Sequence, residues 1–228
     1  MKFVSKVLCL AGAVVALTLG MVRANAYTLT YNGLNYGQSV SISYGTTSTS
    51  VFAGQINMSF TGGTPSGYAT TFNAYCVELE NYLQSPMEVA LRSSDDLTRN
   101  SISPNSGKKA SWLFNTYAGG VNSNTTGAAL QIAIWEALYD SSTDLSGGYF
   151  KLLTNDSTLT SQVNTYLNAL QTNYSATTAT WFQATNPASS QDLIGAASTT
   201  PSGSAVPEPG IVSLLAGSSL SEIGRAHV

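Results

Sequence analysis

Apolar residues recur at every second position before residue 79, as in Val40, Ile42 and Tyr44. Beyond Asn105 they recur at three- and four-residue intervals, as in Leu159, Val163, Tyr166, Leu167 and Leu170. A period of two lines one face of a strand and a period of about 3.6 lines one face of a helix. This change of period within one chain constrains the fold more than any other feature. It predicts an α+β domain in which an antiparallel β-barrel or sandwich from the first third packs against two or three helices.

Strands are expected over 27–31, 38–44, 51–60 and 71–79, broken by turn chemistry at Asn32-Gly33, Gly45-Thr46 and Gly62-Gly63-Thr64-Pro65. Helices are expected over 108–117, with Ser106 as cap and Gly119-Gly120 as stop, over 127–139, capped by Thr125 or Thr126, and over 159–174. A return strand is expected over 179–183. From Ala184 onward the chain is rich in Ala, Ser, Thr, Pro and Gly, too poor in apolar surface to fold alone. The expected domain is thus 27–183, followed by a flexible linker over 184–205.

The ends read as address labels. Residues 1–26 begin with Lys2 and Lys6, continue into an apolar run and finish on Ala24-Asn25-Ala26, the pattern of a cleavable secretory signal. Residues 206–221 open on Val206-Pro207-Glu208-Pro209 and an apolar start, Ile211-Val212-Ser213-Leu214-Leu215-Ala216. That segment resembles the PEP-CTERM sorting signal of Gram-negative envelope proteins, in which the motif precedes a membrane-spanning helix and a basic end. The resemblance implies transient membrane insertion and processing at Pro207, Glu208 and Pro209 by an exosortase-type enzyme. Here the helix is short and the basic end is lacking. The last seven residues, 222–228, match the translation of a sequencing adapter, so the native tail is expected to differ.

Composition then excludes several chemistries. Between signal and adapter-like tail stand five basic residues, Arg92, Arg99, Lys108, Lys109 and Lys151, against eleven acidic ones. Phosphate backbones are held by clustered cations, so nucleic acid is not an expected partner. The single histidine, His227, lies in the adapter-like tail, and without imidazole neither a Ser-His-Asp triad nor a Cys-His pair can form. No metal site and no cofactor are expected, and the chain is not expected to be an enzyme. Carboxylates such as Glu78, Glu80, Glu88, Asp95 and Asp96 are too frequent for any pair of them to signal a glycosidase. Of the two cysteines, Cys9 leaves with the signal, and Cys76 stands alone in an oxidising compartment.

Two short segments give that cysteine a chemistry. Tyr75-Cys76-Val77-Glu78-Leu79 and Leu130-Gln131-Ile132-Ala133-Ile134-Trp135 resemble the motifs of the thioester domain of Gram-positive surface adhesins, with Leu130 where that family has threonine. The resemblance implies a bond between the Cys76 sulfur and the Gln131 acyl group, within a pocket formed by Tyr75, Val77, Ala133, Ile134 and Trp135. It also implies that the Cys76 strand faces the N-terminal end of the Gln131 helix. A thiol that attacks a carboxamide and expels ammonia gives an acyl-thiol that an outside amine or hydroxyl later opens, with no histidine or metal. The expected function is a surface-anchored adhesin or matrix protein that captures a protein amine or polysaccharide hydroxyl covalently. The alternative is a non-catalytic envelope or matrix structural protein in which Cys76 is a small buried hydrophobe.

Overall fold

The computed structural model describes residues 26–99, 103–170, 179–187 and 189–196. The secretory signal and the segment with Pro207, Glu208 and Pro209 lie outside these residues, apart from Ala26. Strands β1 (Tyr27–Tyr44), β2 (Thr47–Thr61), β3 (Thr71–Cys76) and β4 (Met87–Ser93) precede helices α1 (Ser106–Tyr117) and α2 (Asn124–Tyr139). Strand β5 (Phe150–Leu152), helix α3 (Ser157–Asn168), and strands β6 (Thr180–Ala184) and β7 (Leu193–Gly195) complete the elements of the described residues. Every strand pairing is antiparallel. The pairings run β2-β3-β7-β6-β4-β1 and close through β1–β2 into a ring of six strands, with β5 added beside the far end of β1. This is the α+β architecture expected, an antiparallel sheet with three helices, of which α2 packs on the sheet and α1 and α3 pack on α2.

The β1–β2 hairpin shapes the rest. Gly45 takes a left-handed φ of 55° in the Gly45-Thr46 turn, which closes the pair Tyr44↔Thr47. The expected break at Asn32-Gly33 is instead a register shift inside one long strand, with another between Leu34 and Gly37. Such bulges bend a ribbon without ending it. The bend lets one end of the hairpin join the ring, where Leu29 and Met58 are buried and Phe60 meets Phe182, while Val40, Ile42 and Ala53 are buried at the other end. Gly127 serves the same contact: a Cβ there would stand 2.2 Å from the Tyr36 carbonyl oxygen, so only glycine lets α2 approach the bulge so closely.

Helix α2 is buried on all sides, from Gly127 to Tyr139, as a central helix must be when sheet, α1 and α3 all pack on it. It starts one turn earlier than expected, because Ser123 caps it and Thr126 returns the bond as the third residue of a capping box. Helix α3 likewise starts at Ser157, with the Asp156 side chain accepting from Thr158 and Leu159 N–H. Its expected C-terminal part, beyond 170, falls outside the described residues.

The domain boundary needs correction. Leu193, Ile194 and Gly195 are buried and pair with Cys76, Tyr75 and Ala74 on one side and with Phe182, Trp181 and Thr180 on the other. Part of the expected linker is therefore a central strand that closes the ring. Three residues suffice because the neighbouring strands supply the ladder on both edges.

Candidate functional site

Cys76 is the last residue of β3, at the point where the strand leaves β2 and continues beside the segment that enters β7. Its backbone is held from α2. The Gln131 side chain accepts from Cys76 N–H at 2.9 Å and donates to the Cys76 carbonyl at 2.8 Å. A carboxamide carries one acceptor and one donor, so Gln131 completes the strand edge as a neighbouring residue would. Gln131 is fully buried in the middle of α2, not at the helix start, and both halves of its amide are committed to backbone. That revises the placement expected of it as the group set against the sulfur.

The side chain that meets the sulfur is Gln191, two residues before β7. Cys76 Sγ lies 2.6 Å from Gln191 Oε1, and Gln191 Nε2 donates to the Glu78 carbonyl at 2.6 Å. Gln191 sits in what composition marked as tether, so pattern reasoning passed it over. The one trace in the sequence was the Leu193-Ile194 pair in an otherwise polar stretch, out of place in a tether but too short to show the period of a strand.

Asp192 fixes this glutamine. Its carboxylate accepts from Arg99 at 2.6 Å, from Trp181 Nε1 at 3.0 Å and from Ala184 N–H at 2.8 Å, while its carbonyl accepts from Val77 N–H at 3.1 Å. Arg99 also donates to the Val77 carbonyl at 3.0 Å and stands 3.7 Å from Glu78. The segment after Cys76 and the segment around Gln191 are thereby tied at four points. Burial, with a smaller push from Glu78, raises the Cys76 thiol well above its ordinary value, so the sulfur is held as a neutral S–H. Burial raises the Glu78 carboxyl too, against the opposing pull of Arg99.

A cavity of about 580 Å³ opens over the sulfur. Cys76, Gln191 and Trp135 lie at it, with the loop residues Leu79 to Leu83 on one side and Thr47 to Phe52 on the other. Glu80 is held within this loop by Tyr139, whose hydroxyl donates to it at 2.7 Å. Of the remaining expected pocket residues, Tyr75 packs edge-on to Phe114, Val77 is buried beneath the Arg99 contact, and Ala133 and Ile134 are buried in α2. Among the described residues no cluster of His, Cys, Asp and Glu is arranged to hold a metal ion.

No protein-family model and no curated protein matches the chain. Among solved structures it is similar to the N-terminal thioester domain of fibronectin-binding protein SfbI from Streptococcus pyogenes. The likeness has a TM-score of 0.39 and 14% identity over 75% of this chain and 91% of that one, so the chemistry has to come from the residues themselves.

Proposed function

We propose that the chain is an exported surface or matrix protein that captures a partner covalently through an internal thioester joining Cys76 to Gln191. The observation that carries this is the 2.6 Å between Cys76 Sγ and Gln191 Oε1. Hydroxyl-to-oxygen hydrogen bonds run at about 2.7–2.8 Å, and sulfur, the larger atom, keeps a thiol donor farther away still. The close contact sets the sulfur against the Gln191 carboxamide, the group it is proposed to attack.

In the closing step the Cys76 sulfur adds to the Gln191 carboxamide carbon, the thiol proton passes to the leaving nitrogen, and ammonia departs. Neither oxidant nor metal is required. In the opening step a partner's amine or hydroxyl takes the acyl group and Cys76 recovers its proton. Burial serves both steps, since a thioester at the base of a cavity walled by Trp135 and Leu79 is shielded from bulk water. Gln131 acts as a positioning residue that holds the Cys76 backbone. Export and anchoring rest on the Ala24-Asn25-Ala26 and Pro207-Glu208-Pro209 patterns, which set the proposed location at a Gram-negative envelope, with an exosortase-type enzyme as processing partner.

A second reading, a matrix protein with an inert thiol, draws on the burial of Cys76 and its raised pKa. Intact-mass measurement of never-reduced protein separates the two. A mass short by one ammonia, restored in Cys76→Ala, supports the thioester, and full mass with a titratable thiol supports the inert reading.

A further inference from the structure

The cavity over Cys76 is lined by six consecutive residues of β2, Thr47, Ser48, Thr49, Ser50, Val51 and Phe52. Successive side chains on a strand point to opposite faces, so a cavity met by all six runs along the strand's edge. The hydrogen bonds of the partner strand show which backbone groups face it. Ser41 of β1 turns away from β2: its N–H donates to Thr154 Oγ1 at 2.7 Å, and its carbonyl accepts from Leu153 N–H at 2.8 Å. Ser50 lies directly opposite Ser41. In an antiparallel pair, opposed residues either both face each other or both face away. Ser50 therefore directs its N–H and C=O out of the hairpin, as do Ser48 and Phe52 two residues to either side.

On that outer side no described strand pairs with β2 before Ile56, where β3 joins. Among the described residues the Ser50 carbonyl receives only a 3.5 Å bond from its neighbour's hydroxyl, Thr49 Oγ1. An unpaired edge of this kind is a template for one more strand. Across the cavity stands the Leu79–Leu83 loop, with the exposed Tyr82 and with Glu80, the one charged residue among the described residues of the lining.

We infer that the groove binds an extended segment of a partner polypeptide as an added strand on the Ser48–Ser50–Phe52 edge, delivering one of its side chains to Cys76 and Gln191. The backbone groups offered repeat every two residues, about 6.6 Å apart, which is the repeat of a peptide and not of a sugar ring. The lone carboxylate favours a segment that is neutral or positively charged. The capture step rests on the thioester reading, whereas the docking does not.

Docking is therefore measured without reaction, in the full chain carrying Cys76→Ala. The probe is a library of capped hexapeptides with lysine fixed at the fourth position and the other positions varied, read by mass spectrometry of the bound fraction. Strand addition gives at least tenfold enrichment of alternating, β-branched peptides, and loses it when the library is N-methylated at alternate residues. Ser50→Pro removes one outward N–H and leaves the β1 ladder intact, so it too abolishes enrichment. Its fold is checked by the ammonia deficit of Ser50→Pro protein with Cys76 in place. If that variant does not fold, the N-methylated library tests the same edge from the ligand side. No enrichment, or equal retention of both libraries, overturns the proposal, and so does retention of cello- or chito-oligosaccharides in place of peptides. No docking to the Cys76→Ala protein, beside an ammonia deficit in the wild type, removes this inference alone, whereas docking beside full mass in the wild type removes the thioester alone.

Discussion

The carboxamide of Gln131 holds Cys76 by both its N–H and its C=O, at 2.9 and 2.8 Å, while the Cys76 sulfur faces Gln191. One glutamine thus sets the strand and another meets the thiol, and the two roles separate experimentally. Gln131→Ala strands two buried backbone groups, at about 1–3 kcal/mol each. Denaturant unfolding should show a loss of roughly 2–6 kcal/mol, far above the few tenths that alanine returns as a better helix former. The Gln191 acyl group should still form the adduct with methylamine in the fraction that folds.

Asp192 should be the costlier loss. Its carboxylate is buried and holds Arg99, Trp181 and Ala184 together. Removing one partner of a buried ion pair costs about 3–5 kcal/mol, and the partial exposure of Arg99 sets the lower end of that range. Asp192→Ala should lower Tm by roughly 6–12 °C for a domain of this size. Arg99→Met should cost less, because Trp181 and Ala184 still satisfy the carboxylate. A larger loss in the arginine variant would contradict this ordering.

A third outcome concerns pH. Glu136 is fully buried in α2, and among the described residues neither of its carboxylate oxygens has a hydrogen-bond partner. Burial first, then the charges of Asp140 and Asp144, push its carboxyl up from 4.5 to about 8. A folded-state value above the unfolded one means that the native protein holds a proton the unfolded chain has released. This contribution to stability is whole below about pH 4.5 and is lost as pH rises toward 8. Unfolding free energy should fall across that window with a slope of up to about 1.4 kcal/mol per pH unit. Glu136→Gln should flatten the slope, and an unchanged slope would remove Glu136 as its cause.

Trp135 joins core and cavity, being buried against Phe150 while lying at the Cys76 opening. Trp135→Ala should cost about 3–5 kcal/mol and admit water to the acyl-thiol. The ammonia deficit, followed by mass over days at neutral pH, should convert to the hydrolysed acid faster than in the wild type.

Much of the fold was legible because burial leaves a period in the sequence. The Gly45-Thr46 turn, the alternation of β1 and β2 and the helical spacing of α2 each follow from local pattern. Strand β4 was readable too, in Met87 and Val89 against Glu88, but was masked by a charged neighbourhood. Strands β5 and β7 were not readable, since each has three residues, too few to show a period. Half the site was lost with β7. The motifs drew attention to Cys76 and Gln131, which do meet, but a glutamine in mid-helix whose amide completes a strand looks the same in sequence as one set against a thiol. What separates them is the tertiary placement of β7, fixed by the Asp192 carboxylate and by pairing on both edges.

The central claim is tested most directly by mapping where methylamine adds. Never-reduced wild-type protein is treated with methylamine, digested, and sequenced by tandem mass spectrometry, with the free thiol counted in parallel. A thioester between Cys76 and Gln191 gives one methylamide, on Gln191, together with one newly titratable thiol on Cys76, and neither in Cys76→Ala. Methylamide on Gln131 would return the acyl role to the α2 glutamine. Full mass before treatment, with no adduct on any glutamine, would contradict the thioester altogether.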